Sequence, residues 1–95
     1  MTELIQVEPN ARLDALRSQV AQFRRARIVA AIPDQWDGLA NAARMRMLQR
    51  QVQVQLCQLA VVTRDAATIK AAQTVGVPVF SDIETAMQRA WRMET

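Results

Sequence analysis

Apolar positions along the chain switch repeatedly between the period of a strand and that of a helix. Residues 3–8, ELIQVE, are a short apolar run closed by the turn signal Pro9–Asn10, which predicts a first strand. In ARLDALRSQVAQF, residues Leu13, Leu16, Val20 and Phe23 recur at steps of three and four. Arg12, Arg17 and Gln19 lie off that stripe, so the segment predicts an amphipathic helix. RIVAAIP is nearly all apolar and stops at Pro33, the pattern of a strand buried on both faces. The loop DQWDG follows, and Leu39, Ala42, Met45, Leu48 and Val52 return to helical spacing.

The stretch QRQVQVQLCQLAVVTRD, residues 49–65, supports two periods at once. From Gln51 to Leu56 polar and apolar residues alternate as in a half-buried strand, yet Met45, Leu48 and Val52 keep a helical step. A strand starting at Gln51 would run 13 residues to Thr63, long for a small domain. A helix continuing to about Gln55 leaves CQLAVVT as the strand, joined by a short αβ connection. The second boundary is the one adopted, although no glycine marks the helix end.

Beyond it, Asp65 occupies a helix N-cap position, Ile69, Ala72 and Val75 form a stripe, and Gly76 follows the helix. VPVF predicts a fourth strand, placed at a sheet edge because Pro78 has no N–H for the ladder. SDIE fits a capping box, Ser81 as N-cap and Glu84 at its third position, opening a helix through Ile83, Met87 and Ala90. The order β-α-β-α-β-α-β-α predicts an α/β fold: a small Rossmann-like three-layer sandwich on a four-stranded, mostly parallel sheet. The second and third strands are the most apolar and should be central, while the full strand order is not readable.

Composition bounds this reading. Ninety-five residues, 51% hydrophobic and 22% charged, suit one folded domain with one modest core. Residues 1–92 are assigned to that domain, and 93–95 to a cut end or the start of a linker. No apolar run approaches the roughly 20 residues of a membrane span, and MTELIQVEPN has no signal-peptide character. A cytoplasmic location without membrane contact by this segment is the expectation. The net charge of +3 rests on eleven Arg and one Lys. The densest basic stretch, Arg24, Arg25 and Arg27, falls where a helix ends and complements its dipole. Cys57, alone in an apolar run, is expected to be a buried spectator.

Candidate chemistry is sparse. The absence of His removes the commonest general acid–base residue, and one Cys cannot build a thiolate metal cluster. The turn after the first strand, VEPNARL, has no glycine, so neither a dinucleotide fingerprint nor a P-loop is present. A receiver domain or a PIN-type nuclease would need acids after that strand which VEPN does not supply. What remains is the rim at the carboxyl ends of the strands, where open α/β sheets bind ligands. Asn10, Asp34, Thr63, Arg64, Asp65 and Ser81 are the ligand candidates there, although capping alone accounts for Asp65 and Ser81. Arg44, Arg46 and Arg50 form an arginine-rich helix face, the candidate for weak nucleic-acid binding. Trp36 and Trp91 are read as partly buried against the sheet rather than as exposed interface anchors.

MLQRQ, followed by LAVVTRDAATIKAAQTVGVPVFSDIETAMQRAW, resembles a small N-terminal α/β domain of large bacterial multi-domain proteins of the Chloroflexus type, some described as baseplate-J-like. The likeness spans about residues 28–92 and is clearest in VTRD and GVPVF. It departs at Gln55–Leu56, where a glycine turn is expected, and in the polar QVQVQ helix end. The resemblance implies a linker and further domains downstream, and carries over no catalytic residue. The expectation is therefore a non-enzymatic accessory or protein-interaction domain, without cofactor or metal. Its expected partners are other domains of the same chain, a separate protein, or a second copy. A small-ligand or nucleotide sensor using the rim is the alternative, with nucleic-acid binding behind it.

Overall fold

The computed structural model describes residues 2–89 and 91. The elements are β1 (Thr2–Gln6), α1 (Leu13–Val20), β2 (Arg27–Ala31), α2 (Ala42–Val54), β3 (Gln58–Val62), α3 (Ala66–Val75), β4 (Val79–Phe80) and α4 (Ile83–Gln88). All eight expected elements are present in the expected order. The sheet is parallel throughout, in the order β1-β2-β3-β4. β2 and β3 are central, and the two-residue β4 after Pro78 lies at an edge, as the apolar runs and the proline indicated.

Each crossover is followed by a strand one place further along the sheet. Right-handed crossovers in one direction put their helices on one face. One core cluster accordingly joins Leu16 and Val20 of α1, Met45, Leu48 and Val52 of α2, and Ala71 and Ala72 of α3 with Ile28, Ala30, Leu59 and Val61. The other face carries Leu4, Val29, Ala60, Val62 and Phe80 by register, and is covered by α4 against β2, β3 and β4. There Val29, Val62 and Ala86 form a smaller cluster with Ile83, Met87 and Trp91 around it. The three layers are thus unequal, three helices against one short one.

The disputed stretch is helical through Val54, with β3 beginning at Gln58. The glycine missing from this helix end is replaced by Leu56 in the left-handed region at φ 59°. The Cys57 amide donates to the Val52 carbonyl at 2.8 Å and the Leu56 amide to Gln53 at 3.0 Å, a Schellman closure built on leucine. Gln51 and Gln55, four apart, turn the apparent alternation into a polar seam facing α1. The Gln55 amide donates to the carbonyls of Val20 and Phe23, and that of Gln51 to Arg17. Arg24 donates to Ala21 and Phe23, the helix-end role expected of the basic cluster, whereas Arg27 lies in β2 and donates to the Arg89 carbonyl.

Four local expectations need correction, the first being that α1 ends at Val20 rather than running to Phe23. The N-cap of α4 is Asp82, not Ser81, because the carboxylate accepts from the Thr85 amide while Ser81 lies one residue outside the helix and exposed. The helix ends at Gln88, and the expected continuation to Ala90 lies outside the described residues, as does the linker start at 93–95. α2 opens at Ala42 rather than Leu39, since the Asn41 side chain accepts from the amides of Ala43 and Arg44. Trp36 is buried more fully than the partial burial expected, and donates to the Ala11 carbonyl at 2.7 Å. Gly38 is required beneath it: a Cβ there would come within 2.5 Å of the indole. Trp91 is half-buried, with the Arg27 guanidinium 4.2 Å from its ring centre. Cys57 is free and buried.

Candidate interaction surface and strand-end rim

The loops after β2, β3 and β4 enclose an open cleft of about 450 Å³. Asp34, Thr63, Arg64 and Ser81, four of the six rim candidates, line it together with Asp82. The other two lie elsewhere. Asn10 belongs to a separate depression of about 460 Å³ with Arg12, Trp36 and Arg44, and Asp65 is committed to the start of α3.

Asp65 Oδ2 accepts from the Thr68 amide at 2.9 Å and from the Thr68 hydroxyl at 2.8 Å. Asp82 repeats the arrangement with Thr85, at 2.7 and 2.9 Å. Both carboxyls are held below the usual aspartate pKa, first by the backbone amide and then by the threonine hydroxyl. Arg64 and Arg89 lower Asp82 further. The shared pattern is Asp-x-x-Thr, DAAT at 65–68 and DIET at 82–85, and it was a readable signal that the Ser81–Glu84 box obscured. Thr63 is likewise occupied, its hydroxyl accepting from the Asp65 amide at 3.1 Å. Two rim acids thus serve as fixed ionised caps. The strand order never reverses, so the sheet has no switch point, where ligands enter doubly wound sheets. No group of His, Cys, Asp or Glu among the described residues is arranged to hold a metal ion.

The arginine candidates lie together on α2. Arg44, Arg46 and Arg50 are exposed, while Met45, Leu48 and Val52 face the sheet. Sequence reading missed what stands between them. Four large apolar residues are exposed among the described residues, and three belong to α2 or its cap: Met47 at 40%, Val54 at 85% and Leu56 at 66%. Met47 and Val54 are seven residues apart, so they share one ridge, about 10 Å along the axis. At 100° per residue Arg46 and Arg50 flank that ridge on one side and Arg44 on the other. α2 contains no acidic residue, nor does α3, whose one charge is Lys70. α2 therefore presents an apolar ridge flanked by arginines, while α1 beside it carries Asp14, which lines a depression with Gln51 of α2.

No protein-family model, curated protein or solved structure matches the chain.

Proposed function

We propose that this chain is a non-enzymatic protein-interaction module of a larger cytoplasmic bacterial protein, and that it acts through the outward face of α2. The observation that carries the proposal is the exposure of Met47, Val54 and Leu56 among Arg44, Arg46 and Arg50. Apolar side chains exposed together and rimmed by polar residues are a feature of protein-interaction surfaces, which supports this reading. The capped rim carboxylates and the sheet without a switch point support a non-catalytic reading, which needs no cofactor or metal. The resemblance to an N-terminal domain of multi-domain bacterial proteins agrees with an accessory role. No helix among the described residues is long and apolar enough to cross a membrane.

A second reading, a small-ligand sensor, is favoured by the cleft that collects Asp34, Thr63, Arg64 and Ser81. Two measurements separate them. A photo-cross-linking residue at Val54 should give a discrete protein adduct in cells, lost with Arg46→Glu/Arg50→Glu, whereas one at Ser81 should give none. A panel of nucleotides and phosphorylated metabolites should leave the melting temperature unchanged. A ligand-dependent rise of several degrees, abolished by Arg64→Ala, with no adduct from Val54, would establish the sensor instead.

A further inference from the structure

Resting on that reading, we infer that the partner of the α2 face is an acidic amphipathic α-helix lying along the Met47–Val54 ridge. Charge complementarity selects the sign: α2 and α3 together carry Arg44, Arg46, Arg50 and Lys70 and no carboxylate. Apolar spacing selects the form. A ridge with large side chains two turns apart matches a partner helix that repeats its own apolar positions every seven residues. Leu56, exposed just past the end of α2, adds apolar surface at that end of the helix.

The ridge also argues against the other polyanions. A nucleic acid needs cations aimed at phosphates and gains little from covering Met47 and Val54. A membrane surface draws basic helices that present a broad apolar face with aromatic anchors, and α2 has no aromatic residue.

The test is fluorescence anisotropy with the 95-residue chain and a synthetic helix of about three heptads, apolar along one stripe and flanked by Glu. The same peptide with Gln for Glu, a short DNA duplex, and vesicles of phosphatidylserine and phosphatidylcholine are the comparisons. The Glu peptide should bind about tenfold tighter than the Gln peptide, and Val54→Asp should weaken it by about tenfold or more. Arg46→Glu/Arg50→Glu should lose the preference for Glu and acquire one for a Lys-flanked peptide, an inversion that misfolding cannot produce. Equal affinity for the Glu and Gln peptides overturns the inference, as does tighter binding to the duplex or the vesicles. If the Val54 cross-link persists in cells while the Glu peptide shows no preference, the partner is not an acidic helix and the module reading stands. Loss of both removes the module reading too.

Discussion

Gln55 concentrates the way single residues hold this molecule together. It is buried, and its side-chain amide donates to the carbonyls of Val20, the last residue of α1, and of Phe23 in the turn beyond it, each at 2.7 Å. In the sequence it is one of three glutamines alternating with valine and leucine, where a period of two hides the four-residue step between Gln51 and Gln55. That step was legible only once the segment was assigned to a helix; the carbonyls it reaches lie 32 and 35 residues away and were not legible at all. Replacing Gln55 by Leu leaves both carbonyls without this donor and should cost about 2 kcal/mol in denaturant unfolding. Gln55→Glu should be worse at neutral pH, because an ionised carboxylate only accepts and would face two carbonyl oxygens. Burial raises the folded-state pKa of that Glu above its unfolded value, so its penalty should shrink as pH falls and grow as pH rises. A Gln55→Glu variant whose stability tracks the parent at every pH would show that the seam is not tight.

At the scale of elements, the boundary between α2 and β3 follows from competing periods. Val52 continues the Met45–Leu48 stripe and is buried, Gln53 is exposed, and Val61 is buried in a central strand. Val52→Ala and Val61→Ala should each cost roughly 1–3 kcal/mol by leaving a void. Gln53→Pro should cost about 3 kcal/mol or more, because it interrupts a helix interior rather than a loop. A harmless Gln53→Pro beside a costly Val52→Ala would move the helix end upstream. The helix ends themselves were legible where a single residue type suffices, as with Asp65 and Gly76. They were misread where two caps compete, as with Ser81 and Asp82. Local chemistry allows both residues there, and the hydrogen bond from the Thr85 amide decides between them.

The whole molecule has one sheet face packed by three helices and the other by one, which covers β2, β3 and β4 and leaves Leu4 of β1 exposed. Alternating apolar runs foretold the α/β class and the central strands. The strand order was not foretold, because crossover direction is set by packing between distant elements. Which candidate residues share a cleft was not legible, for the same reason. Four rim residues converge on one cleft, but Asp65 is held by Thr68 and Asn10 sits beyond the next loop. The arginines of α2 were visible individually. The ridge among them depends on Val54 and Leu56 standing outside the core, which an apolar residue in a sequence does not announce.

Equilibrium urea unfolding of Val54→Gln/Leu56→Gly tests whether these two side chains are surplus to the fold. Val54 is largely in water, and Leu56 holds a left-handed φ that glycine adopts without strain. If neither side chain serves the fold, the variant should match the parent or exceed it by up to about 1 kcal/mol, while its cross-linking and peptide binding fall away. A loss of about 2 kcal/mol or more would mean that at least one of the two side chains serves the fold, and that this end of the α2 face is packing rather than a partner's footprint.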